Sequence, residues 1–187
     1  MSHDIREVPP LNAADRLKSA IRDVPGFPKA GIVFKDITPI LANSELFREA
    51  LDRFEEHWKH RMIDVVVGIE ARGFILGGAV ADRLRAGFVP VRKKGKLPWK
   101  TERVEYALEY GTDCLEMHRD GVQAGQRVLI VDDLLATGGT AEATAQLIEK
   151  NRGTVAGMCF LVNLAFLPGA RRLSRYEIQS LIEFDEE

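Results

Sequence analysis

Cysteine is scarce: only Cys114 and Cys159 occur in the 187 residues, too far apart for a metal-binding spacing. Two lone cysteines exclude a disulfide framework and suit a reduced compartment. Positive charge is not in surplus either. Lys and Arg number 26 against 28 Asp and Glu, a formal net charge of −2. That argues against a general nucleic-acid or membrane-surface binder. No apolar run reaches the length of a bilayer span, and the first residues lack an apolar signal core. Neither G-x-x-x-x-G-K-[ST] nor G-x-G-x-x-G occurs, so two common nucleotide loops are absent. No internal repeat or low-complexity segment is found. With 45% hydrophobic and 29% charged residues, the expectation is one globular cytoplasmic domain over 1–187.

What is present is concentrated in residues 128–140, V-L-I-V-D-D-L-L-A-T-G-G-T. Val128 to Val131 read as a short buried strand. The carboxylates Asp132 and Asp133 follow, then Ala136, Thr137, Gly138, Gly139 and Thr140, then a helical pattern from Ala141. The first amides of a helix have no intrahelical partner and carry partial positive charge, so a phosphate fits there. Glycines let the backbone approach it. The loop holds no lysine, which favours a monophosphate over a triphosphate. The two carboxylates suit hydroxyl donors, such as a ribose diol, or a hydrated Mg²⁺. The stretch reads as a site for a sugar 5′-phosphate with its diol beside it.

Before it, Ala14, Leu17 and Ile21 mark a helix capped by Asn12 and ending near Val24-Pro25-Gly26. Residues 27–39 read as a loop of unusual apolar content. Asn43 or Ser44 opens an amphipathic helix with Phe47, Leu51, Phe54 and Trp58 on one face. His57 and His60 lie one turn apart on it and read as surface histidines. Residues 64–69 read as a buried parallel strand leading into E-A-R-G-F and a further helix. Arg72 there offers a forked cation suited to phosphate oxygens. Strands near 88–92, 154–164 and 178–184 complete the alternation. The implied class is α/β, a mainly parallel sheet with helices on both faces and ligands at the strand ends.

The central stretch resembles the phosphoribosyl pyrophosphate (PRPP) motif of type I phosphoribosyltransferases, in its adenine-specific form. Four further segments match that family in order. Residues 28–39, P-K-A-G-I-V-F-K-D-I-T-P, resemble its adenine-recognition hood. By that resemblance Phe34 stacks on the purine, while the backbones of Val33 and Lys35 read its edge. E-A-R-G-F resembles the pyrophosphate loop, which carries a non-proline cis peptide, here between Glu70 and Ala71. R-K-K-G-K-L-P followed by L-E-Y-G resembles a flexible catalytic loop over about 92–110 with its return strand. Leu164 matches an apolar residue that covers the base.

The resemblance implies transfer of a 5-phosphoribosyl group from PRPP to adenine, giving AMP and pyrophosphate. It gives Asp132 and Asp133 the ribose hydroxyls, and Ala136 to Thr140 the 5′-phosphate. Arg72, Arg92 and Lys96 take the pyrophosphate, Glu109 the proton transfer, and Tyr110 closure. Mg²⁺ enters with PRPP through ligand oxygens and water, with no direct protein ligand, and a homodimer is expected. Two rivals stand beside this reading. One is a transferase for hypoxanthine, guanine, xanthine or orotate, against which the F-K-D-I-T-P hood argues. The other is a PRPP-sensing regulator of nucleic acid, against which the charge balance argues.

Overall fold

The computed structural model describes residues 13–107 and 111–186, which form parts of two compact units, 1–47 and 48–187. In the first unit, α1 (Ala13–Ala20) leads into β1 (Arg22–Pro25), which pairs antiparallel with β2 (Val33–Asp36). The first helix therefore stops sooner than the sequence suggests, and the expected loop is a hairpin arm. The residue before Pro25 disfavours helix, and pairing with 33–36 satisfies backbone groups that a helix would have used. Asp36 accepts the Thr38 N–H and hydroxyl at 2.9 and 2.8 Å, at the entry to the short α2 (Thr38–Ala42). The next helix, α3 (Ser44–Trp58), is capped by Asn43, whose Oδ1 accepts the Glu45 and Leu46 amides at 3.0 and 3.1 Å.

The second unit holds a seven-stranded sheet. Its elements in chain order are β3 (Val65–Ile69), α4 (Arg72–Leu84), β4 (Gly87–Lys93), β5 (Thr101–Ala107), β6 (Thr112–His118), β7 (Arg127–Leu135), α5 (Gly139–Lys150), β8 (Thr154–Leu164), α6 (Gly169–Arg172) and β9 (Ile178–Phe184). The spatial order is β5-β6-β4-β3-β7-β8-β9. From β4 to β9 across β3, β7 and β8 all pairs are parallel, and the β5–β6 hairpin adds an antiparallel edge. Every residue of β3 is buried, as a central parallel strand requires. Val65, Val67 and Ile69 join the core with α5 residues such as Leu147 and Ile148. On the other face, Arg83 of α4 reaches Asp52 and Glu55 of α3 at 2.7 and 2.9 Å. Trp58 of α3 packs against β8: a Cβ at Gly157 would come within 2.0 Å of its ring. Its indole N–H donates to Gln179 Oε1 at 2.8 Å. His57 pairs with Glu177 at 2.9 Å, a surface role as expected. Among the described residues no helix is long and apolar enough to cross a membrane.

Two expectations need correction here. The strand after residue 127 does not end at Val131. It runs on to Leu135, because Leu134 and Leu135 keep their pairing with Val162 and Asn163, so the acidic pair lies within β7. The segment expected as a loop over 92–110 contains β5, paired with β6 from Thr101↔His118 to Ala107↔Thr112. Alternating Arg103, Val104, Glu105 and Tyr106 suit an edge strand with one buried face, a pattern hidden by the charges.

Candidate active site

The sheet reverses its winding between β3 and β7. From β3 the chain crosses through α4 to β4 on one side, and from β7 through α5 to β8 on the other. A crevice opens beyond the carboxyl ends of strands at such a point. Here it is a cleft of about 550 Å³ lined by Glu70, Ala71, Arg72, Lys93, Tyr106, Asp113, Asp132, Asp133 and Thr140, among others. A side pocket of about 90 Å³ adjoins it, lined by Ala136, Thr137, Gly138, Gly139 and Thr140. A larger hollow, about 710 Å³, lies over Arg103, Glu105, Glu149 and Lys150, away from these strand ends. It lacks the converging loops of the cleft, and Lys150 Nζ is already engaged with the Arg103 carbonyl at 2.9 Å.

The acidic pair sits where α4 begins. Asp133 is buried, and its Oδ2 lies 2.6 Å from Arg72 Nε. That contact is an ion pair without hydrogen-bond alignment. Asp132 Oδ1 accepts the Asp133 N–H at 2.9 Å. Burial, and then the Asp133 charge, push the Asp132 carboxyl well above the usual carboxylate range. Gly73 makes the close approach feasible, since a Cβ there would meet Asp132 Oδ1 at 2.8 Å and the Val131 carbonyl at 2.9 Å. Between Glu70 and Ala71 the peptide is cis, as the family resemblance implies.

The glycine loop follows. Gly138 has φ +77, a left-handed conformation at the start of α5 that favours glycine. The amides opening this twelve-residue helix thus end in the side pocket. The loop rests on Gly169, where a Cβ would lie 2.3 Å from the Ala136 carbonyl. The Thr140 hydroxyl donates to the Tyr106 oxygen at 3.4 Å, and Tyr106 donates to Asp113 at 3.3 Å.

The basic turn after β4 is held by carboxylates. Glu70 accepts Lys96 Nζ at 2.6 Å, Arg92 Nε at 3.3 Å and the Lys93 N–H at 3.1 Å. Burial pushes the Glu70 carboxyl up, but these donors outweigh it and hold the group down at about 2. Buried Glu116 accepts the Gly95 N–H at 3.0 Å, and Asp113 pairs with Lys93 at 3.2 Å.

Of the residues singled out in sequence, Arg72, Asp132, Asp133 and Thr140 line the one cleft, with Ala136 to Gly139 in the side pocket. Arg92 and Lys96 reach it through Glu70, and Leu164 stands at the carboxyl end of β8. Glu109 and Tyr110 lie outside the described residues. Val33, Phe34 and Lys35 belong to the first unit, where Phe34 meets Phe27 edge-on at 5.2 Å. There Lys35 is buried with its Nζ 2.8 Å from Asp23 Oδ1. Tyr106, Asp113, Lys93 and the carboxylate of Glu70 were not singled out. Their only trace in sequence was their place beside the recognised motifs. Among the described residues no group of three His, Cys, Asp or Glu side chains could hold a metal ion.

Comparison with known proteins agrees with this geometry. Residues 37–184 match the family described as phosphoribosyl transferase domain. The adenine phosphoribosyltransferase of Thermotoga petrophila is 57% identical over 168 residues, 90% of this chain and 99% of that protein. The crystal structure of adenine phosphoribosyltransferase from Rhodothermus marinus superposes with a TM-score of 0.89 at 53% identity, covering 92% of this chain and 98% of that one. The Saccharomyces cerevisiae enzyme, complexed with an imino-altritol bisphosphate and adenine, gives a TM-score of 0.86 at 40% identity, covering 90% and 98%.

Proposed function

Because the chain belongs to the phosphoribosyl transferase family and works as an adenine phosphoribosyltransferase in purine salvage, we propose a part for each residue of its cleft. The reaction joins PRPP and adenine to give AMP and pyrophosphate. One observation carries the assignment: an acidic pair, an arginine and a glycine loop at a helix start share a cleft at the sheet's switch point.

The α5 loop, Ala136 to Thr140, binds the 5′-phosphate through its amides and the Thr137 and Thr140 hydroxyls. Asp132 and Asp133 take the ribose hydroxyls. Positive charge develops on the ribose ring as the bond to pyrophosphate breaks, and carboxylates beside it favour that charge. Arg72, Arg92 and Lys96 stabilise the departing pyrophosphate. By family resemblance Phe34 stacks on the purine, the backbones of Val33 and Lys35 read its edge, and Leu164 is the apolar residue that covers the base. By family resemblance Glu109 moves the proton near the base and Tyr110 closes the site.

Mg²⁺ fits as a companion of PRPP. The two aspartates supply hard oxygen donors, suited to a hydrated ion, and one of them is already committed to Arg72. When bound, the ion neutralises part of the pyrophosphate charge. The enzyme is expected to work as a cytoplasmic homodimer.

The test is AMP formation from adenine and PRPP with Mg²⁺, against a panel of other bases. AMP as the main nucleotide supports the reading. A preference for hypoxanthine, guanine or orotate would reject the base assignment, and no turnover with any base would reject the enzyme.

A further inference from the structure

Glu70 is the best-connected carboxylate of the cleft, yet the reaction as assigned above gives it no task. Its side chain is only 11% exposed. Both oxygens are used: Oε1 lies 2.6 Å from Lys96 Nζ and 3.5 Å from Arg92 Nη2, and Oε2 takes Arg92 Nε and the Lys93 N–H. Glu70 is fixed by the short connection from buried β3 to α4, while Lys96 is 48% exposed on a long flexible stem and Arg92 is 33% exposed. The acceptor is rigid and the donors can swing. These donors are the cations assigned to pyrophosphate.

We infer that Glu70 is a positioning residue that holds Arg92 and Lys96 between turnovers and competes with pyrophosphate for them. The inference rests on reading this cleft as the pyrophosphate site. Two cations on one carboxylate leave an excess positive charge, which still attracts a polyanion. A pyrophosphate of higher charge displaces one carboxylate on entry. Once the product stands alone, recapture of Lys96 and Arg92 by Glu70 helps it leave. The opposite role, Glu70 as a ligand of the magnesium that accompanies pyrophosphate, predicts the opposite sign.

Calorimetric titration of pyrophosphate with Mg²⁺ into wild type, Glu70→Gln and Glu70→Asp separates them. With the competing charge removed, Glu70→Gln binds pyrophosphate tighter, by roughly three- to tenfold, as expected for loss of two partly exposed ion pairs. Its kcat falls together with KM for PRPP, because release slows. Glu70→Asp, which keeps the charge but draws it back by one methylene, falls between the two. Equal or weaker binding by Glu70→Gln overturns the inference. Should that variant fail to fold, Glu70→Asp binding no tighter than wild type overturns it equally. A wild-type protein that binds no pyrophosphate rejects the pyrophosphate site itself, and this inference with it.

Discussion

Arg72 Nε lies 2.6 Å from Asp133 Oδ2, so two residues assigned to different parts of one substrate hold each other. The pairing divides the acidic pair into unlike members. Asp133 is buried and paired to a cation, whereas Asp132 is the carboxyl that burial and its neighbour's charge press toward protonation. A substrate diol brings hydroxyl donors to both.

The two aspartates are therefore expected to differ in stability while agreeing in activity. A carboxyl with a raised folded-state pKa destabilises the fold once pH exceeds its unfolded value, about 3.9. Asp132→Asn should thus raise Tm at pH 7, with the gain vanishing below about pH 4. Asp133→Asn leaves Arg72 without this carboxylate and should cost about 1–2 kcal/mol, less than a fully buried pair because Arg72 is part-exposed. Both should lower kcat/KM for PRPP by at least about tenfold, as loss of a charged hydrogen bond implies. Thermal melts across pH and steady-state kinetics check this. Asp132→Asn that is less stable than wild type at pH 7 would refute it.

Glu70 gives the acid limb of stability. Its folded-state value of about 2 lies below the ordinary 4.5, so its contribution is present above pH 4.5 and is lost as pH falls toward 2. Between those limits Glu70→Gln should lose less stability than wild type. Circular dichroism titrations from pH 5 to 2 read the difference directly, and parallel curves would show that the Lys96 and Arg92 contacts contribute nothing.

The basic turn should be a reporter of substrate. Lys94, Lys96 and Lys100 are exposed, and the turn rests on the carboxylates of Glu70, Glu116 and Asp113. Trypsin is expected to cut after one or more of these lysines in the free protein, and PRPP with Mg²⁺ to protect them. Identical cleavage in both conditions, mapped by mass spectrometry, would contradict closure over the substrate.

Adenine should be preferred over 6-oxopurines by on the order of a hundredfold or more. On the proposed reading the backbone groups of 33–35 offer adenine a fixed donor and acceptor set, and hypoxanthine reverses two partners, each worth roughly 1–3 kcal/mol when left unpaired. The Lys35 ammonium is buried against Asp23, so it is not directed to a C6 oxygen. Lys35→Ala should lower stability by leaving Asp23 without this partner, yet retain the base preference. Comparable kcat/KM for hypoxanthine and adenine in wild type, abolished by Lys35→Ala, would reverse this assignment.

Legibility in the sequence followed burial. The runs at 65–69 and 128–131 announce themselves because a strand covered on both faces has no room for charge, and the sheet's centre was readable from them. β1, β2 and β5 were not, because each is half-exposed or polar and owes its form to a partner strand elsewhere in the chain. The site shows the same division. Asp132, Asp133 and the glycine loop are neighbours in sequence and were read together. Glu70 meets Arg92 and Lys96 from 22 and 26 residues away, and no local pattern records that meeting. Each motif had been assigned to a ligand, which concealed that the motifs bind one another.

The position of β5 at the end of the sheet has a further consequence, for solubility. Among the described residues one margin of the strand has no neighbouring strand, and bare strand margins recruit other chains into fibrils. Here the margin carries Glu102, Arg103 and Glu105, and Lys150 already occupies the Arg103 carbonyl. A foreign strand would have to strip water from three charges and displace a lysine before gaining its first ladder bond. The charges that hide β5 in the sequence thus guard the sheet against its own copies.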